Sequence, residues 1–157
     1  MKPNYLWILI VLLSLNTFAQ RTMKYYSPES KDYGIYFPDD FLVGTDHEDN
    51  IVTFTDLAEG GINITVSSYV FENKEVANAF IIKFSELVEI KKEEWLNDRS
   101  KFDYLIKGSV KKDNDDYWTW WFVVKDNHAM SISINKPTQI TDEDASLLKY
   151  MIENLDI

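Results

Sequence analysis

The eight residues from Tyr117 to Val124, YWTWWFVV, contain five aromatic side chains. In a β-strand alternate side chains point to opposite faces, so Trp118 and Trp120 would share one face, and Tyr117 and Trp121 the other. A strand with one face in water alternates apolar with polar residues, whereas this segment carries aromatic residues on both faces. It therefore predicts a central strand that is covered on both sides, by the protein's own helices or by a partner.

The N-terminal residues have the pattern of a bacterial secretory signal. Lys2 precedes an apolar run from Tyr5 to Leu15, which passes through small and polar residues to Ala19. This run is shorter than the roughly 20 residues that cross a bilayer. We expect residues 1–19 to be a signal peptide cleaved after Ala19, and residues 20–157 to form a single α+β domain with no membrane attachment.

Charge and cysteine content limit where the protein acts and what it binds. The formal net charge is −10, which excludes nucleic acid as a partner because a polyanion gains no counterion release from such a surface. The acidity keeps an exported protein soluble, and it would also steer a basic partner. The chain has no cysteine, which suits the bacterial periplasm or outer surface better than a small disulfide-rich secreted domain.

Apolar periodicity predicts an antiparallel sheet of about six to seven strands packed with two helices, in the order β-β-β(-β)-α-β-β-β-α. Asn73 is a candidate N-cap for a helix that reaches about Asn97, and residues 20–32 are expected to be an extended lead-in. Thr141 with Asp144 resembles a capping box at the start of the last helix. The apolar positions expected to pack the first helix on the sheet are Val76, Phe80, Phe84, Leu87, Val88 and Trp95.

Pairing of the aromatic strand with the strand before it predicts which tryptophans are buried. With Ile106 opposite Phe122 and Gly108 opposite Trp120, large residues meet smaller ones, and Trp118 and Trp120 enter the core. Tyr117 and Trp121 would then lie on the second face, among Ser131 and Ser133. These two aromatic residues are the candidate partner contacts, provided that the C-terminal helix leaves them accessible.

The chain has no cysteine and only two histidines, so thiol catalysis is impossible and a histidine-based zinc site would need carboxylates to complete it. The only histidines are His47, in an acidic loop interpreted as solvated, and His128, interpreted as part of a hairpin turn. The acidic run from Asp113 to Asp116 lacks the glycine and the distant glutamate of a calcium loop and is interpreted as a hairpin turn. No nucleophile motif or phosphate-binding glycine loop is present. We expect no catalytic residues, no metal and no cofactor.

The order of elements resembles the PsbP and Mog1-like fold, in particular its exported bacterial members. The resemblance rests on Tyr36 to Phe41 (YFPDDF), the strands up to Tyr69 before a long helix, the hairpin at Gly108, and a C-terminal helix that ends in Asn154 to Ile157. It implies an antiparallel sheet between helices on both faces. It also implies an accessory or binding role with no active-site residues.

Three functions are consistent with these observations. The leading hypothesis is a small exported, non-catalytic accessory or binding protein of the bacterial cell envelope. Its partner would be a protein, and the negative charge of the chain favours a basic one. The alternatives are a periplasmic immunity or inhibitor protein that neutralises a basic toxin or hydrolase, and an exported hydrolase with unrecognised carboxylates.

Overall fold

The computed structural model describes residues 21–45, 50–87, 92–95, 101–108 and 111–157. Within these ranges the chain forms five strands, a helix, five further strands and a final helix. The strands are β1 (Met23–Tyr26), β2 (Ile35–Pro38), β3 (Leu42–Thr45), β4 (Ile51–Thr55), β5 (Asn63–Val70), β6 (Lys92–Trp95), β7 (Tyr104–Gly108), β8 (Lys111–Asp113), β9 (Asp116–Lys125) and β10 (His128–Lys136). The helices are α1 (Lys74–Leu87) and α2 (Asp142–Glu153). No helix among the described residues is long and apolar enough to cross a membrane.

The strands form two antiparallel sheets, and the larger one is organised around β9 and β10. Its order is β3-β4-β5-β10-β9-β7-β6, with the short β8 also paired to β9, while β1 and β2 form a separate ribbon. This confirms the predicted α+β class. The short strands β1, β6 and β8 add to the predicted set, because edge segments of three or four residues give almost no periodic signal.

Two predictions about local structure are wrong. Residues Met23–Tyr26 pair with β2, although they were expected to be an extended lead-in. Helix α1 ends at Leu87, although the apolar spacing suggested that it would continue to about Asn97. Residues Lys92–Trp95 pair instead with β7 as a strand of the large sheet, so tertiary pairing overrides helical periodicity there.

The two faces of the large sheet carry separate apolar clusters. One face, here called the core face, packs against α2 and the β1–β2 ribbon and contains the larger cluster. The opposite face, here called the α1 face, packs Phe122, Val124 and Ala129 against Ala77 and Ile81 of α1. The part of β9 from Trp121 to Val124 is thus covered on both sides, as the double-sided apolar pattern predicts, whereas Trp118 and Trp120 are only partly buried.

The burial of the tryptophans is the reverse of the one predicted from the sequence. Trp121 belongs to the core-face cluster and is only 4% exposed, whereas Trp120 is partly buried at the margin of the α1-face cluster. Ile106 does lie opposite Phe122 as predicted. Closer to the turn, Lys111 is the partner of Trp118, so the pairing there is shifted by one residue from the register set by Ile106 and Phe122.

The pairing of β9 with β10 explains why Trp121 is buried. A two-residue turn, Asp126 and Asn127, joins Lys125 to His128, with Asp126 in the left-handed region at a φ of 52°. This turn places Ile132 opposite Trp121, and Ser131 and Ser133 opposite Phe122 and Trp120. The expectation that the two serines surround Trp121 is therefore wrong.

Both helices begin with the caps predicted from the sequence. The Asn73 side chain accepts a hydrogen bond from the Val76 N–H at 3.0 Å. The capping box of Thr141 and Asp144 is complete, and Asp144 also receives the Lys136 ammonium at 2.9 Å. Burial alone would raise the pKa of Asp144, but its hydrogen bonds to Lys136 and Thr141 lower it below the usual value.

The packing stripe of α1 is rotated from the one predicted. The buried positions are Ala77, Ile81 and Ser85, with Phe80 and Phe84 beside them, whereas Val76 and Leu87 are exposed. Small residues at the centre of the stripe allow the helix to lie close to Phe122 and Ala129.

Stability measurements distinguish the observed burial of the tryptophans from the predicted one. We expect Trp121→Ala to lower the free energy of unfolding by about 3–5 kcal/mol, because it empties a well-packed core position. Trp120→Ala should cost only about 1–2 kcal/mol, because that side chain is already partly in water. Denaturant titrations of the two variants provide the test. An equal loss, or a larger one for Trp120→Ala, would contradict the arrangement described.

Candidate functional site

The two residues predicted as partner contacts, Tyr117 and Trp121, differ in their exposure to solvent. Tyr117 lies at the start of β9 on the core face, opposite Lys136, and is half-buried. Trp121 lies deeper on the same face, within the cluster that includes Leu147, Leu148 and Met151 of α2. Trp121 is therefore a core residue and is not accessible to a partner in this structure.

A stacked pair of partly exposed tryptophans lies on the other face of the same strand. Trp118 and Trp120 stack with their ring centroids 5.3 Å apart and their planes 14° from parallel. Trp120 packs against the α1-face cluster, and Trp118 extends the row beyond that cluster. Both side chains are partly exposed.

Polar residues of β9 and β10 complete this area. Asn135 lies opposite Trp118 and donates a 2.8 Å hydrogen bond from Nδ2 to Oδ2 of Asp116. Ser133 lies opposite Trp120 and is buried. We call the area formed by Asp116, Trp118, Trp120, Ser133 and Asn135 the tryptophan surface. It can offer apolar contact area from the stacked rings and hydrogen-bond acceptors from its rim.

An acidic hairpin lies at the end of the tryptophan surface. Asp113 and Asp116 are paired across a turn at Asn114 and Asp115, with Asn114 at a φ of 54°. This confirms that the acidic run is a hairpin turn. Asp113 and Asp115 are exposed, so they give this end of the surface a negative rim.

His128 is not in a turn, as had been predicted, but is the first residue of β10 and is buried. Its Nε2 lies 2.6 Å from Oγ of Ser68. Burial lowers the pKa of His128 below its usual value, and the charge of Asp32 opposes this effect. A serine beside a histidine with an acid nearby has the residue types of a nucleophilic site. Both Ser68 and His128 are buried, so we interpret their hydrogen bond as structural.

Two clefts of the described structure are lined by residues other than this pair. One lies between the ribbon and the C-terminal residues and is lined by Tyr25, Lys31, Asp32, Asp156 and neighbours, but not by Ser68 or His128. The adjoining cleft contains Lys101, whose ammonium donates to the Glu153 carbonyl oxygen at 2.7 Å. In the described part of the chain, no three potential ligands converge as a metal site would require.

Sequence reasoning missed the tryptophan surface although the necessary signal was present. The spacing from Lys125 to His128 fits a two-residue hairpin turn. Counting back from that turn sets Ile132 opposite Trp121 and assigns Trp118 and Trp120 to the face that carries Ser133 and Asn135. The acidic loop of Asp46, His47, Glu48 and Asp49 lies outside the described residues.

The pH dependence of stability tests the state of His128. A buried histidine with a lowered pKa stays neutral in the folded protein, while the unfolded chain takes up a proton below a pH of about 6.5. Unfolding free energy should therefore fall as the pH is lowered from about 7 to 5, with a slope of at most about 1.4 kcal/mol per pH unit from this one group.

The matched variant for this test is His128→Gln, which removes the titrating group and keeps a side chain capable of hydrogen bonding to Ser68. Chemical denaturation at several pH values should show a smaller slope for the variant than for the wild-type protein. Identical slopes would show that His128 is protonated equally in the folded and unfolded states.

Comparison with known proteins identifies the fold. No protein-family model and no curated protein matches the chain. Among solved structures, it is similar to a Bacteroides thetaiotaomicron protein with 15% identity and a TM-score of 0.58, over 85% of this chain and 47% of that one. The present chain thus spans about half the length of that protein.

Two further solved structures are similar to the chain. The Ran-binding protein Mog1p of Saccharomyces cerevisiae has 13% identity and a TM-score of 0.58, over 88% of this chain and 96% of Mog1p. PsbP (CyanoP) of Synechocystis has 15% identity and a TM-score of 0.43, over 87% of this chain and 93% of that one. The likeness to Mog1p confirms the PsbP and Mog1-like fold that the sequence resembles.

Proposed function

We propose that this protein is a small exported, non-catalytic binding protein of the bacterial cell envelope that holds a protein partner on its tryptophan surface. The observation that carries the proposal is the stacked, partly exposed pair of Trp118 and Trp120 beside an acidic hairpin. On the same face, Phe122 and Val124 are covered by α1. The two tryptophans are the part of this aromatic row that remains open to a partner.

The chemistry of the surface favours a basic protein. Tryptophan is enriched among residues that dominate protein–protein binding energy, particularly where polar groups surround it. The exposed Asp113 and Asp115 would attract lysine or arginine residues at the rim of the contact, and the net charge of −10 would speed the encounter. An inhibitor of a basic toxin or hydrolase would use the same contact, with loss of the partner's activity as the consequence.

Further support comes from the sequence and from the scaffold. The signal-like N-terminus and the absence of cysteine favour export to the periplasm or the cell exterior. Burial of Ser68 and His128 argues against their use as a nucleophile and base. Mog1p shares the fold and is a Ran-binding protein, so the scaffold is compatible with a protein partner.

Capture of the partner tests the proposal. The protein would be cross-linked in an envelope extract of the bacterium that encodes it, and the bound proteins would be identified by mass spectrometry. The double variant Trp118→Ala, Trp120→Ala should recover at least about tenfold less partner, since hot-spot tryptophans each contribute about 2 kcal/mol or more. Asp113→Asn with Asp115→Asn should weaken capture mainly at low salt.

The control variant is Tyr150→Ala, which removes an exposed aromatic residue from α2 without altering the tryptophan surface. It should recover as much partner as the wild-type protein. Equal recovery by the double tryptophan variant would refute the assigned surface. Wild-type protein that captures nothing above background, or that remains in the cytoplasm with residues 1–19 attached, would refute the proposed function.

A further inference from the structure

Two adjoining clefts lie between the β1–β2 ribbon and residues 153–157. Their volumes are about 390 and 380 Å³, within the range of small-ligand sites. Tyr25 and Asp156 line both clefts, so the two form one groove in which these side chains stand where the halves meet. We call it the tyrosine groove, and we name its halves after Lys31 and Lys101, which line one half each.

Two tyrosine rings provide the aromatic part of the groove. Tyr25 and Tyr36 are paired across the ribbon, with ring centroids 5.1 Å apart and planes 60° from parallel. The neighbouring residues Tyr26 and Ile35 pack on the core-face cluster, so Tyr25 and Tyr36 point away from it. They are 51% and 38% exposed. Both rings are therefore accessible to the flat apolar face of a ligand.

Gly34 determines the position of the Tyr25 ring. The backbone N–H and C=O of Gly34 pair with those of Asp156, with both hydrogen bonds 2.8 Å long. A Cβ atom at residue 34 would overlap the hydroxyl and ring of Tyr25, so only glycine allows the ring to lie against this backbone. The fold thus places the ring before any ligand binds, which reduces the entropy cost of binding.

Charges of both signs occur in each half of the groove. Lys31 and the adjacent Asp32 line one half, and Lys101 and Glu153 line the other. Burial lowers the pKa of Lys101, and the negative charge of Asp156 opposes this effect, so these two side chains lie close enough to interact. Within the described part of the chain, no hydrogen bond or ion pair engages the carboxylates of Asp32 and Asp156.

This lining selects a neutral polar ligand. An anion beside either lysine would meet an acidic side chain in the same half, and a cation beside either acid would meet a lysine. A purely apolar ligand would bury these charges without hydrogen bonds, which is costly. A sugar ring instead carries hydroxyl groups, which both donate and accept hydrogen bonds, and a flat C–H face that can pack on a tyrosine ring.

We infer that the tyrosine groove binds a neutral saccharide, with sugar rings on both sides of Tyr25. Its hydroxyl groups would donate to the carboxylates of Asp32 and Asp156 and accept from the two lysines. The groove lies on the side of the large sheet that carries α2 and the ribbon, whereas the tryptophan surface lies on the α1 face. The saccharide site is therefore separate from the contact of the proposed protein partner and does not rest on it.

Titration of the isotope-labelled wild-type protein with two neutral disaccharides, cellobiose and N,N′-diacetylchitobiose, tests the inference. Each has two β-linked rings with flat C–H faces. At least one of them should produce saturable shifts of the amide resonances of Gly34 and Asp156, with a Kd of about 1 mM. The corresponding monosaccharide should bind about tenfold more weakly, because it fills one half of the groove.

Matched variants locate the contact. Tyr25→Ala removes the ring where the two halves meet and should weaken disaccharide binding by about tenfold or more. Gly34→Ala should have a similar effect, because it displaces that ring. Tyr150→Ala removes a tyrosine that is 45% exposed on α2 outside the groove and should bind as the wild-type protein does. The double variant Trp118→Ala, Trp120→Ala should also bind normally.

Several results would overturn the inference. One is the absence of saturable shifts with both disaccharides at about 20 mM. Another is an equal effect of Tyr25→Ala and Tyr150→Ala. Tighter binding of glucuronate or glucosamine than of glucose would show that charge selects the ligand, which contradicts a neutral saccharide. Loss of disaccharide binding only in the double tryptophan variant would place the sugar on the tryptophan surface instead.

Discussion

The antiparallel pairing of β9 with β10 determines which aromatic side chains reach the core. The turn at Asp126 and Asn127 sets this register, and a one-residue change would exchange the two faces of the strand. In the observed register, Trp121 stands beside Met130, Ile132 and other core-face residues. Ser131 and Ser133 of β10 lie on the other face, opposite Phe122 and Trp120.

The rest of the structure follows from this division. On the core face, the apolar residues of β4, β5 and β10 continue the surface begun by Trp121 and Val123, so α2 and the ribbon have a wide area to cover. On the other face, α1 covers a smaller cluster centred on Phe122 and Ala129. Because α1 has only 14 residues, part of that face remains outside its cover. The tryptophan surface lies in this part.

Much of the fold could be predicted from the sequence, because its signals are local. Alternation marked β5 and β10, the caps at Asn73 and Thr141 marked the helix starts, and the aromatic segment marked a strand with two covered faces. The short strand β6 could not be predicted, since its pairing with β7 is a tertiary contact in a segment whose spacing suits a helix. The burial of His128 depends likewise on the distant Ser68.

The two contacts predicted from the sequence, Tyr117 and Trp121, lie on the core face of β9, and the tryptophan surface proposed here lies on the other face. Propensity and apolar content could not decide this, because both faces of β9 carry large aromatic residues, and only the pairing with β10 distinguishes them. A residue can therefore be strongly apolar and still lie at a surface, as Trp118 does, when its neighbours across the strands are Asn135 and β8 rather than core residues.

Acrylamide quenching of variants that each retain a single tryptophan measures this division of faces most directly. The remaining tryptophans would be replaced by phenylalanine, and native far-ultraviolet circular dichroism would establish that each variant is folded. A variant retaining only Trp121 should be quenched several-fold less than one retaining only Trp118. Equal quenching, or stronger quenching of Trp121, would contradict this division of faces.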